Sequence, residues 1–209
     1  LLARKPVTPE PGDLRDVARN GACSSGGGPA VTTLSPPFSR ALILGGARSG
    51  KSARAETLTL AAAAGGTAVY LATSEVGDAE MQTRIAEHRA RRGAEWTTRE
   101  APLAIVEAFA NEKRPVLVDC LTLWLSNLMA AGRDVAGEGD RLAEAVAAHA
   151  SPLVLVSNEV GMDIVPDNAL ARAFRDHAGR LHQKIAAVCD RVELVVAGLP
   201  LVLKPQGLQ

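Results

Sequence analysis

The stretch that most constrains this chain is Ala41-Leu-Ile-Leu-Gly-Gly-Ala-Arg-Ser-Gly-Lys-Ser52. An apolar run ends in Gly45, four residues pass, and Gly50-Lys51-Ser52 open a helical pattern, which is the G-x-x-x-x-G-K-S spacing of a phosphate loop. Glycines let the backbone wrap closely round an anion where a Cβ would intrude. Successive N–H groups of Gly46, Ala47, Arg48, Ser49 and Gly50 then point inward at a helix N-terminus. Lys51 reaches the β and γ phosphates in such a loop, and the Ser52 hydroxyl holds Mg²⁺. A Gly-rich turn followed by a lysine also arises by chance. Framed by a strand and a helix, it reads as a nucleoside triphosphate site.

The chain around it alternates apolar runs with helical stretches. Strands are expected at Ala41–Leu44, Thr67–Ala72, Trp96–Thr98, Pro115–Asp119, Leu153–Val156, Val192–Val196 and Leu201–Leu203. Helices are expected at Ser52–Ala64, Asp78–Arg92, Leu103–Asn111, Leu121–Met129, Arg141–Ala150 and Ala169–Cys189, with a polar, Gly-rich loop over Gly132–Asp140. Nearly all-apolar strands alternating with helices imply a mostly parallel sheet covered on both faces, an α/β three-layer fold.

Residues 1–39 differ. Pro, Gly and Ser dominate in Thr8-Pro-Glu-Pro-Gly12, Ser24-Ser-Gly-Gly-Gly-Pro29 and Ser35-Pro-Pro37, and apolar residues follow no period. A disordered tail is expected there, with one domain over 40–209. Aromatic residues make up only 3%, so Val, Leu, Ile and Ala must build the core. Lys+Arg and Asp+Glu balance at 23 each, which argues against nucleic acid as a partner. No apolar run has the length of an integral membrane segment. Three scattered cysteines, Cys23, Cys120 and Cys189, fit reduced thiols in a cytoplasmic protein.

Beyond the loop, Asp119 closes an apolar strand, where nucleotide-binding folds place a carboxylate for Mg²⁺; alternatively it caps the next helix. Glu80, Arg84 and His88 share one helix face by their i, i+4, i+8 spacing, with Arg89, Arg91 and Arg92 crowding its end. That face reads either as a solvated basic surface or as a phosphate site whose arginines keep the His88 imidazole neutral and nucleophilic. Glu159 of Asn158-Glu-Val-Gly-Met162 offers a metal, ribose or acceptor contact, or equally a turn cap. His149, His177 and His182 lack partners at metal spacing and read as structural, and Trp96 and Trp124 as packing residues.

Four blocks together make the chain resemble the bifunctional adenosylcobinamide kinase/adenosylcobinamide-phosphate guanylyltransferases of cobalamin biosynthesis. They are Gly45–Ser52; Ala72-Thr-Ser74 with Glu80-Met81 and Arg84-Ile85-x-x-His88-Arg89; Val118–Asn127; and Asn158-Glu-Val-Gly-Met162 running into Ile164-Val-Pro166. The resemblance spans residues 41 to about 204. It implies phosphorylation of the adenosylcobinamide hydroxyl by ATP or GTP, then transfer of GMP from GTP through a histidine adduct matching His88. It also implies a P-loop sheet related to that of RecA and a homo-oligomer. By the same match Lys51 joins His88 as a catalytic residue, and Ala72, Thr73 and Ser74 line the nucleotide. Arg89, Ala90, Arg91, Arg92 and Glu100 fall at guanine-nucleotide contacts, and Ser52 and Asp119 at the metal. Two departures stand out: the long tail, and Asp163 where the family motif carries Gly and a left-handed backbone is expected. Two rival readings are a plain small-molecule kinase with His88 idle and a catalytically silent nucleotide sensor.

Overall fold

The computed structural model describes residues 38–74 and 93–205. The elements are β1 (Arg40–Gly45), α1 (Lys51–Ala63), β2 (Ala68–Ala72), β3 (Trp96–Glu100), α2 (Ile105–Phe109), β4 (Val116–Asp119), α3 (Leu121–Ala130), α4 (Val135–Ala148), β5 (Leu153–Asn158), α5 (Ala169–Val188), β6 (Arg191–Val196) and β7 (Leu199–Lys204). The seven strands form one sheet in the order β3-β2-β4-β5-β1-β6-β7. Every pairing is parallel except β6 with β7.

Alternation along each strand feeds two apolar layers. Leu42, Val69, Leu71, Val116, Val118, Leu153 and Leu155 face one side and pack with Leu121 and Trp124 of α3, Leu142 of α4 and Ile185 of α5. Ala41, Ile43, Tyr70, Leu117, Val154 and Val156 face the other and pack with Ala55 and Leu58 of α1. These side chains are almost wholly excluded from water, each contributing about 1.5–3 kcal/mol for the larger aliphatics. The expected α/β architecture is therefore the observed one: a mostly parallel sheet with helices on both faces. Trp124 is buried and donates its indole N–H to Leu103 O at 2.9 Å, and Trp96 meets Tyr70 edge to face.

Two expectations need correction. Gly132–Asp140 is not a loop throughout, because α4 begins at Val135. The Asp134 carboxylate caps it, accepting from the N–H groups of Ala136 and Gly137. Burial of Leu142 and Val146 on the same helix then outweighs the low helix propensity of Gly137 and Gly139; at Gly139 a Cβ would make only an ordinary contact with Leu181, 3.5 Å away. The second correction concerns the edge of the tail. Phe38 is 1% exposed within the α1-side core, and the Ser39 N–H donates to Asp190. Both belong to the fold.

Expectations about the helix over 78–92 fall outside the described residues. Among those residues no helix is long and apolar enough to cross a membrane.

Candidate active site

Parallel strands deliver their C-terminal ends to one edge of the sheet, where open α/β folds bind ligands. Register fixes which residues meet there. Glu100 pairs with Ala72, Ala72 with Asp119, Asp119 with Val156, and Gly45 with Asn158. Residues scattered over more than a hundred positions of sequence thus form one row. β5 lies between the phosphate-loop strand and the Asp119 strand, so Ser157, Asn158 and Glu159 emerge between them.

The phosphate loop is held from three sides. Gly45 O accepts from the Glu159 N–H at 3.1 Å, Ser49 O accepts from the Gly198 N–H at 2.8 Å, and Lys51 Nζ donates to Gly46 O at 3.1 Å. Glycine is required at Gly45, whose Cβ would stand 2.6 Å from Val195 O. It is required again at Gly50, with φ +94° and the Gly198 backbone alongside. At Gly46 a Cβ would meet nothing within 4 Å, which leaves that side of the loop open. α1 has no side-chain cap, whereas α4 and α5 are capped by Asp134 and Asn168. Its first N–H groups are left for an anion. Ser49 Oγ is buried with no hydrogen-bond partner among the described residues, an orphan that a phosphate oxygen would satisfy.

Behind the loop, Arg54 of α1 grips Glu193 of β6 through two hydrogen bonds of 2.8 and 2.9 Å, and Arg191 adds a third of 2.7 Å. Burial alone would raise the Glu193 pKa, but the two guanidiniums outweigh it and hold the carboxylate below its ordinary range. This cluster anchors the start of α1 to the sheet.

At Asp119, Oδ2 accepts from the Tyr70 hydroxyl at 2.6 Å, which orients the carboxylate. Together with the Ser52 hydroxyl this donor set suits Mg²⁺, which takes few protein ligands and completes its shell from phosphates and water. No cluster of three or more acidic, His or Cys ligands exists among the described residues.

Within Ala72–Ser74, Thr73 is wholly buried. Its hydroxyl donates to Cys120 O and accepts from the Cys120 N–H, and its carbonyl accepts from Asn127 Nδ2, all at 2.8 Å. That side chain locks β2 to the start of α3 and leaves Ala72 and Ser74 nearer the open edge. Neighbouring Thr122 receives Asn158 Nδ2 at 2.9 Å, tying α3 to β5. His88, Arg89, Ala90, Arg91 and Arg92, with Glu80 and Arg84, lie outside the described residues.

His182, which has no partner at metal spacing in the sequence, finds two across the fold: its Nε2 lies 2.7 Å from Ser157 Oγ and its Nδ1 3.7 Å from Glu159 Oε2. Its spacing on α5 gives no hint of this, because both partners come from β5. Glu159 also caps a turn, accepting from the Gly161 N–H at 2.5 Å. Among the described residues the left-handed non-glycine positions are Arg48, Ala64 and Ala197; Asp163 is not one of them, so the left-handed backbone expected there is not observed.

The fold and this edge define a P-loop nucleotide-binding α/β protein. Residues 41–203 match the sequence model of the CobU family, cobinamide kinase / cobinamide phosphate guanyltransferase, and the chain belongs to that family. It is 51% identical over 175 residues to the bifunctional adenosylcobalamin biosynthesis protein CobP of Pseudomonas aeruginosa, covering 81% of this chain and 99% of that one. The bifunctional adenosylcobalamin biosynthesis proteins CobU of Salmonella typhimurium and Escherichia coli are 39% and 38% identical, each over 78% of this chain and 98% of theirs. Among solved structures, the P4 protein from bacteriophage phi6 in complex with ADP aligns with a TM-score of 0.40 at 17% identity, over 78% of this chain and 52% of that one.

Proposed function

We propose that this chain performs both reactions of its family: phosphorylation of adenosylcobinamide by a nucleoside triphosphate, then transfer of GMP from GTP to the new phosphate. The observation that carries this is the phosphate loop propped open beside Asp119 in a chain whose 51% identical relative is a bifunctional adenosylcobalamin biosynthesis protein. In the first reaction the loop N–H groups and Lys51 hold the β and γ phosphates and offset charge on the transferring group. Bound Mg²⁺, held by Ser52 and Asp119, would neutralise further phosphate charge. Tyr70 keeps the Asp119 carboxylate turned to one orientation.

In the second reaction His88 is the nucleophile. Its neutral imidazole attacks the α-phosphorus of GTP, pyrophosphate leaves, and the resulting phosphoramidate passes GMP to cobinamide phosphate. Splitting one transfer into two lowers each barrier. Arg89, Arg91 and Arg92, with Glu100 at the end of β3, form the guanine-nucleotide side, and the arginines disfavour the imidazolium. The enzyme works as a cytoplasmic homo-oligomer, and the residues before Phe38 are dispensable for both reactions.

Incubation with α-labelled GTP tests this reading. Acid-labile label should remain on the wild-type polypeptide and vanish in His88→Ala, while γ-phosphoryl transfer to cobinamide survives in the variant. Label persisting in His88→Ala places the nucleophile elsewhere. A wild type that phosphorylates cobinamide but never labels is a plain kinase.

A further inference from the structure

The buried face of α5 is formed by Ala178, Leu181, His182 and Ile185. Three of these are apolar, as a helix packed on a sheet requires, and the fourth is a histidine at 8% exposure. Burial of an imidazole there lowers its pKa, against the opposing pull of Glu159, so the ring is held towards its neutral form. A neutral ring has one donor and one acceptor nitrogen. Nε2 lies 2.7 Å from Ser157 Oγ, a fully buried hydroxyl. In the tautomer that accepts the Ser157 hydroxyl at Nε2, the ring N–H is on Nδ1, which faces Glu159 Oε2 at 3.7 Å. That distance is a charge–dipole contact rather than a hydrogen bond.

Glu159 is itself fixed at two further points. Its N–H donates to Gly45 O, the first residue of the phosphate loop, and Oε1 accepts from the Gly161 N–H. Oε2 is left on the His182 side, on a carboxylate side chain that keeps 20% of its surface exposed. Because β5 lies between β1 and β4, Glu159, the residue that follows β5, leaves the sheet edge between the phosphate loop and the Asp119 strand.

We propose that Glu159 is the proton acceptor for the substrate hydroxyl in the kinase step, and that His182, braced by Ser157, is its positioning residue. The inference rests on the kinase reading above. The hydroxyl oxygen bonds to the γ-phosphorus, and the bond from that phosphorus to the β–γ bridging oxygen breaks. The nucleoside diphosphate leaves with the electron pair, and the hydroxyl proton passes to Glu159 and on to water. In protein kinases a carboxylate accepts the substrate hydroxyl proton in the same way. The guanylyl step needs no such base, since its acceptor is already an ionised phosphate.

Two single-site variants and their conservative partners test the assignment on the full-length protein. Glu159→Gln should lower kcat for γ-phosphoryl transfer to cobinamide about 100-fold or more, the span of a positioned general base. The KM for nucleotide and covalent labelling by α-labelled GTP should stay within about twofold. His182→Leu should lower the same kcat about tenfold. His182→Asn, whose amide can stand in for Nδ1, should recover more of it than His182→Gln, whose amide stands in for Nε2 and serves only Ser157. Undiminished kinase kcat in Glu159→Gln overturns the base, and equal activity in the Leu, Asn and Gln variants of His182 overturns the positioning. A wild-type protein that binds nucleotide yet transfers no phosphate to cobinamide overturns the functional reading and this inference with it, whereas wild-type transfer with an active Glu159→Gln overturns this inference alone.

Discussion

Two neighbouring loops leave the same edge of the sheet and are built on opposite lines. Between β1 and α1 run five residues, Gly46 to Gly50, pinned by the Gly198 N–H on Ser49 O and closed by the left-handed Gly50; just before them Gly45, bound by the Glu159 N–H, has no room for a Cβ. Between β5 and α5 run ten residues, Glu159 to Asn168, carrying Met162, Ile164 and Val165 at 79%, 92% and 58% exposure. The first loop must present fixed N–H groups to a small, invariant anion, and a rigid cradle needs no reorganisation when charge develops. The second is tied at its ends, to the phosphate loop through the Glu159 N–H and to α5 through Arg172, which donates to Pro166 O and Asp167 O, while Met162, Ile164 and Val165 between them stay exposed.

Several measurements would break or sharpen that contrast. The largest effect should come from Lys51→Ala, which removes the one buried cation of the cradle; γ-phosphoryl transfer should drop by roughly three orders of magnitude in a folded protein. Near-native transfer would show that the tight loop is not the phosphate site. Glu193→Ala should cost about 3 kcal/mol of stability, read as a lowered denaturation midpoint, because it leaves Arg54 and Arg191 without their shared carboxylate. A midpoint unchanged from wild type would mean that the cradle stands without its anchor.

A pair of glycine variants separates shape from stability within the tight loop. Gly45→Ala should destabilise by about 1–3 kcal/mol, since its Cβ would press on the Val195 carbonyl. Gly46→Ala meets open space in the free protein, so it should unfold like wild type but bind nucleotide at least tenfold more weakly. Equal effects of both on unfolding would erase the distinction. Ile164→Ala, in the exposed loop, should shift stability by no more than about 0.5 kcal/mol. A larger loss in the melting profile would show that this loop is as firmly packed as its neighbour.

Much of this was legible in the chain itself. The phosphate loop is local: its spacing, its preceding apolar strand and its following helix all lie within Ala41–Ala64, and local backbone preference decides each one. Apolar strands alternating with helices likewise required a buried parallel sheet, because such strands need cover on both faces. Asp119 could be singled out because it ends one of those strands.

What the sequence could not decide was everything that depends on which strands become neighbours. Strand order placed β5 between the phosphate loop and Asp119, and so brought Glu159 to the cradle. Only that arrangement turned His182, by spacing a lone histidine on an apolar helix face, into a partner of Ser157 and Glu159. Gly137 and Gly139 read locally as a loop, yet the Asp134 cap and the burial of Leu142 and Val146 carry the helix through them. Phe38, beside a Pro-rich run, joined the core because the α1 side of the sheet had a place for it. Local propensity amounts to tenths of a kcal/mol per residue, and burial of one large side chain to several times that. Where the two disagreed, the tertiary contact prevailed.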